Sequence, residues 1–218
     1  MSDLELALKY KPYIMFDKAE PFEVNGVGYS ILRTPGQSPS FRRELEFDKS
    51  KVDYVIEYSI YFDYDIQHMY DLEHIWVYVN HQGDIYDAEA SFHGRFFKAM
   101  IPGHSQILDK THLQIFSQPG KHAFLPEGYM FQLIPNLYTA CNEKAGEDGL
   151  LIMDLFKDRI SADMRQQDRV KKYIKNQFAF VPTLDYEYRH LSDKLFYTWE
   201  ELSDIIPVRI NEELKRII

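Results

Sequence analysis

Between Tyr61 and Gly94 the chain reads YFDYDIQHMYDLEHIWVYVNHQGDIYDAEASFHG, a stretch dense in groups that can do chemistry: Asp63, Asp65, His68, Asp71, Glu73, His74 and His93. Asp71 and Glu73 are two residues apart at the start of a strand-like run, so their side chains share one face. Two carboxylates so placed repel unless a cation or a proton lies between them. His68 is three residues upstream, and a bend there would turn its imidazole onto the same point. One imidazole with two carboxylates is a reasonable set for a divalent metal. The alternative is a structural ion pair to Arg42, Arg43 or Arg95, because the same face continues inward as Ile75, Val77 and Val79, and acids facing a core need partners.

These residues must be held by strands. Tyr54, Ile56, Tyr58, Ile60 and Phe62 alternate with Val55, Glu57, Ser59 and Tyr61, which predicts a strand with a core face and a more polar face. Asp71–Val79 follows as a second strand, His81-Gln82-Gly83-Asp84 as a hairpin loop, and residues 85–93 as the partner strand. A two-residue loop puts His93 opposite Leu72 and a three-residue loop puts it opposite Glu73. Only the second register gives it the face of the acids, and a bulge would change either. Gln118-Pro119-Gly120-Lys121-His122-Ala123 forms a further tight loop whose His122 could reach the same end of the sheet.

Frequent turn dipeptides and abundant Tyr and Phe (16 and 15 residues) predict a mainly β fold, an antiparallel sandwich, over residues 1–149. Residues 150–218 read as a helical extension packed on it. Ile160, Met164, Val170, Ile174 and Phe178 have helical spacing. Thr198 and Glu201 form a capping-box pattern, Pro207 ends that helix or starts the next, and Ile210, Leu214, Ile217 and Ile218 give the last helix an apolar stripe.

The net charge of −9 speaks against a nucleic-acid partner. No apolar run reaches membrane-spanning length, no signal peptide is evident, and the single cysteine, Cys141, allows no intrachain disulfide, so a reduced cytoplasmic setting is expected. Ser38-Pro39-Ser40-Phe41-Arg42-Arg43 is either an anion-binding turn or a solvated loop with an arginine paired to an acid. His74, on the face opposite Asp71 and Glu73, reads as structural. His81 and His104 read as loop residues, and Trp76 and Trp199 as packing residues. No Gly-rich phosphate loop, HExxH or G-x-S-x-G is present.

His68-Met69-Tyr70-Asp71-Leu72-Glu73-His74 followed by Ser91-Phe92-His93-Gly94 resembles the hallmark of the necrosis- and ethylene-inducing (NLP) toxins, GHRHDWE with a downstream Ser-x-His-Gly. The Gly120-Lys121-His122-Ala123 segment, Tyr10-Lys11-Pro12 and Phe16-Asp17-Lys18-Ala19-Glu20-Pro21-Phe22 are similar to a related vacuolar-protein-sorting-type family. The resemblance spans about residues 10–128 and implies a β-sandwich with a divalent cation held by His68, Asp71, Glu73 and an upstream Asp. By position that Asp is Asp65, with Asp63 as the alternative. The hallmark Gly, second His and Trp are Gln67, Tyr70 and Leu72 here, so the fold and the metal site carry over and the toxic activity does not.

The reading that follows is a divalent-metal-binding protein, with Mg, Ca, Mn or Zn all open, acting as a metal-dependent hydrolase with His93 or His122 as ligand or general base. The alternatives are a non-catalytic module that binds a small-molecule, carbohydrate or lipid-headgroup ligand through the metal, and a purely structural ion.

Overall fold

The computed structural model describes residues 1–217. In chain order the strands are β1 (Tyr13–Asp17), β2 (Gly26–Leu32), β3 (Gly36–Gln37), β4 (Glu44–Leu45), β5 (Val52–Tyr64), β6 (His68–Asn80), β7 (Ile85–Phe92), β8 (Arg95–Lys98), β9 (Ile107–Leu108), β10 (His112–Ser117), β11 (Phe124–Leu125), β12 (Gly149–Leu150), β13 (Tyr186–Tyr188) and β14 (Phe196–Thr198). The helices are α1 (Asp3–Lys9), α2 (Leu137–Cys141), α3 (Met164–Phe178) and α4 (Trp199–Ile217). None is long and apolar enough to cross a membrane.

Two sheets pack as a sandwich. One runs β14-β2-β5-β6-β7-β8, and the other runs β11-β10-β1-β13. Ile56, Tyr58, Ile60 and Phe62 of β5 enter the core between them, where Phe62 meets Phe16 of β1 edge to face at 6.3 Å. The long ladders β2/β5, β5/β6 and β6/β7 are antiparallel, as the alternation predicts. Three shorter pairings are parallel: β1 with β10, β12 with β6 and β14 with β2.

The second face of β5 is also covered. Val55 joins Leu45, Val52, Trp76 and Tyr78 in a small second core closed by Phe41 and Phe47. Glu57 on this face is buried, and it accepts hydrogen bonds from Ser38 Oγ (2.5 Å), Ser40 N (3.1 Å), Ser40 Oγ and Trp76 Nε1 (2.8 Å). The Ser38–Arg43 segment is therefore a strap fixed to the sheet through Glu57. It is not a free anion-binding turn, since Arg42 pairs with Asp154 (2.6 Å) and Arg43 with Glu89 (2.7 Å).

The segment after residue 149 holds the two long helices and also β13 and β14, which pair with β1 and β2. Asp163 caps α3 in a capping box with Gln166, so this helix starts at Met164 and leaves Ile160 in the preceding turn. The expected break at Pro207 does not occur, and α4 runs through it. Proline removes the N–H that would bond the Ser203 carbonyl. Arg159 Nη1 donates to that carbonyl instead (3.2 Å), while buried Leu202, Ile206, Ile210 and Leu214 hold the helix on the sheet.

Candidate metal centre

His68 and Asp71 would face opposite sides of a regular strand. Tyr70, between them, has φ 49°, a left-handed conformation that an aromatic residue rarely adopts. This kink in β6 is the bend that brings the two side chains to one point. Tyr70 is pinned there by the Met153 N–H, which donates to its hydroxyl (2.8 Å).

One ligand atom each from Asp65, His68 and Asp71 lies within 4.8 Å of the others. His68 Nδ1 donates to the Tyr70 carbonyl at 2.9 Å, which leaves the lone pair on Nε2, 3.5 Å from Asp65 Oδ2. Asp63, the alternative upstream acid, is held by Arg209 through two hydrogen bonds (2.9 and 2.6 Å) and stands outside the group. Glu73 shares the face of Asp71 and lines the same cleft. One of its oxygens accepts from Ser91 Oγ, and the other has no protein hydrogen bond among the described residues. Burial and the Asp71 charge push its carboxyl well above the usual range.

The cleft, about 490 Å³, lies where β6 has no partner on one edge. β12 pairs with His68 and Met69, and the β7 ladder begins opposite Ile75, with His74 N donating to Ser91 Oγ (2.6 Å), so residues 70–73 have no ladder partner on that edge. Its walls include Phe41, Arg42, Leu151, Met153 and Leu155, with Asp65, His68, Asp71 and Glu73 also lining it.

His93 reaches this cleft by a route neither simple register gives. The hairpin tip is a three-residue loop closed by Asn80 N to Asp84 O (3.0 Å). A bulge then moves the pairing from Val79 opposite Ile85 to Tyr78 opposite Asp87. Continued past Ile75 and Ala90, that register sets position 93 opposite Leu72, off the face of the acids. However, His93 and Gly94 are both left-handed (φ 51° and 75°) and form the two-residue turn into β8, with Phe92 opposite Arg95. The turn re-aims the imidazole into the cleft. Its Nε2 donates to Gln118 Oε1 at 2.9 Å in the tautomer that leaves Nδ1 unprotonated. Burial, aided by the Lys121 charge, lowers its pKa despite that bond, so the ring is neutral.

His122 is fully buried and does not line the cleft. Its Nδ1 lies 3.2 Å from Asp71 Oδ2 and its Nε2 3.7 Å from Glu20 Oε1. Burial alone would lower its pKa, but Asp71 and Glu20 outweigh it and raise it to about 9. An imidazolium in this position offers no lone pair, so the expected ligand or base role does not fit it. It is the counter-charge of Asp71, whose own carboxyl is held below the usual range by His122, His68 and Lys121 in spite of burial.

Lys121 is the residue that sequence reasoning missed. Its Nζ lies 2.7 and 2.9 Å from the two oxygens of Asp65. The cation at the acids therefore comes from the Gly120–His122 loop, and from none of the three arginines considered. His74 packs against Trp76 (5.6 Å, 10° between rings) and Phe41. Burial pushes it down to about 4, which fits a neutral packing residue. Cys141 is buried and its thiol donates to the Pro119 carbonyl.

Asp65, His68 and Asp71 converge as a candidate group that could hold a divalent ion, with Lys121 neutralising Asp65 beside it; Glu73, expected among the ligands, lines the cleft outside that converging group.

No protein-family description matches the chain, and no curated protein does. Among solved structures, the chain is similar to NLPPya, an NLP toxin. A triple mutant of NLPPya matches at 18% identity and TM-score 0.34, covering 71% of this chain and 86% of that one. NLPPya in complex with glucosamine matches at 18% identity and TM-score 0.34, over 55% of this chain and 65% of that one. NLPPya in complex with mannosamine matches at 17% identity and TM-score 0.32, over 71% and 86%.

Proposed function

We propose that the chain binds a divalent ion through Asp65, His68 and Asp71, with Glu73 as a fourth donor, and hydrolyses a small polar ligand seated over it. The observation that carries this reading is the meeting of two features in one cleft: a convergent donor group at its floor, and a neutral, oriented histidine, His93, with an unprotonated nitrogen on its wall. An ion buried beneath a cleft with a base beside it favours catalysis over a shallow bridging role. When bound, such an ion polarises a substrate oxygen and acidifies water. The chain's own residues supply the rest. His93, held by Gln118, takes a proton at Nδ1. Phe41, Leu151 and Leu155 exclude water around the ligand.

The test is to titrate metal-free protein with Mg, Ca, Mn and Zn ions by calorimetry and to screen the loaded protein on small ester, phosphoester and glycoside substrates. Uptake of one ion with turnover that His93→Ala abolishes supports the reading. Uptake without turnover, together with binding of glucosamine or mannosamine, would favour a non-catalytic binding module. No uptake of any ion would end it.

A further inference from the structure

One loop serves three residues of the candidate site. Between Gln118 and Ala123, the Gln118 side chain meets His93, Lys121 meets Asp65 and His122 meets Asp71. The loop is tightly made. Gly120 has φ 70°, and a Cβ there would stand 2.9 Å from Ile66. Its carbonyl accepts from Ile66 N at 2.7 Å. Beneath it lies Glu20, a buried carboxylate that follows β1. Its Oε2 accepts the Gly120 N–H at 2.7 Å, and its Oε1 faces His122 Nε2 at 3.7 Å. Neither that Oε1 nor that Nε2 makes a hydrogen bond among the described residues. The stacked ring of Phe62 (3.7 Å, 8°) and the edge-on ring of Phe22 shut His122 off from solvent.

Glu20 is not needed to shape its own turn. Asp17 does that by accepting from Ala19 N (2.8 Å), Leu184 N (2.6 Å) and Thr183 N (2.9 Å), while Arg189 holds the Glu20 carbonyl (3.0 Å). The carboxylate is left with two tasks, and both concern the loop. The second oxygen faces the buried ring of His122, and that ring is the one that also meets Asp71 on its other side.

We infer that Glu20 is a positioning residue for the ion site: it anchors the Gly120–His122 turn and, through His122, fixes the orientation of Asp71. The inference rests on the ion-binding reading above. It gives the Asp17–Glu20 motif a function and joins it to the Gly-Lys-His-Ala motif a hundred positions away.

The experiment measures the Mn²⁺ dissociation constant by calorimetry for the full chain and for Glu20→Gln, His122→Gln and the double variant, with folding checked by circular dichroism. His122→Gln is expected to weaken Mn²⁺ binding by about ten- to a hundredfold, the range seen when the partner of a metal ligand is removed, and Glu20→Gln, one contact further out, by about tenfold, the lower end of that range. In the His122→Gln background the same change should have little further effect, because the two act in series. A merely structural Glu20 would instead give additive losses. If Glu20→Gln does not fold, Glu20→Asp, which withdraws the carboxylate by one methylene, is measured in its place with the same expectation. Wild-type affinity in the variant, or additive losses, overturns the role of Glu20 while leaving the ion site standing. A wild-type protein that takes up no Mn²⁺ overturns the ion site and this inference with it.

Discussion

The imidazole of His68 donates from Nδ1 to the carbonyl of Tyr70, two residues along a strand that Tyr70 itself kinks. The bond sets the ring orientation and leaves Nε2 as the free nitrogen, while the kink brings Asp71 to the same point. Asp65→Asn, His68→Ala and Asp71→Asn are each expected to abolish ion uptake. In the wild type, an ion at a hundred times its dissociation constant should add about 2.7 kcal/mol of stability. Thermal unfolding with and without chelator, run on all four proteins, checks this. An equal shift in the variants would place the ion elsewhere.

His93 sits at a left-handed position before Gly94, where Asn-Gly is the favoured pair for such a turn. His93→Asn favours the turn but removes the bond to Gln118, so stability should change by no more than about 1 kcal/mol in either direction while turnover is lost. Urea unfolding beside an activity assay makes the comparison. A larger loss of stability together with lost activity would mean the imidazole is structural.

Glu89 accepts from Arg43 and from the Tyr78 hydroxyl, each at 2.7 Å. Burial raises its pKa, but these bonds and the charges of Arg43 and Lys98 outweigh that and hold it below the ordinary 4.5. A depressed folded-state pKa contributes stability that is present above the unfolded value and is lost as pH falls through the folded one. Wild-type stability should therefore drop below about pH 4.5 more steeply than that of Glu89→Gln, which has no carboxyl to protonate there. Denaturant melts from pH 7 to pH 3 on both proteins measure the difference, and parallel curves would contradict it.

Much of this arrangement was legible in the sequence. The alternation in β5 and β6 gave the central hairpin because both strands are long enough to show a period of two. The spacing of acids and histidines marked the cleft. What was missed has physical reasons. β12, β13 and β14 are two or three residues long and show no periodicity. The Lys121–Asp65 pair joins residues 56 positions apart, which local pattern does not encode. The bulge at Tyr78/Val79 and the turn at His93 each undo a register argument that assumes regular strands. Pro207 misled because the group that compensates for it, Arg159, lies in another element.

Trp76 Nε1 donates to Glu57, the hub that ties the Ser38–Arg43 strap to the sheet. Trp76→Phe keeps most of the packing and removes one donor from a buried carboxylate, at an expected cost of about 1–3 kcal/mol. Because Phe41 and Arg42 wall the cleft, hydrogen exchange in the strap should rise as well. Equilibrium unfolding and amide exchange read the two effects, and unchanged protection in the strap would disconnect it from Glu57.

Gly120→Ala places a methyl group at a left-handed position and against Ile66. The expected loss is about 1–3 kcal/mol, with weaker ion binding because the same loop carries Lys121 and His122. Calorimetric melting and ion titration test both, and a wild-type melting temperature would show that the loop can shift without cost.

The late strands also bear on how the protein is made. β13 lies against β1 and β14 against β2, so residues 186–198 cover strands that were synthesised well before them. Until that stretch leaves the ribosome, β1 and β2 each present a row of unpaired amides and carbonyls, the surface that recruits foreign strands. A product halted after the β6–β7 hairpin would carry Asp65, His68 and Asp71 on a body whose β1 and β2 each keep an open edge.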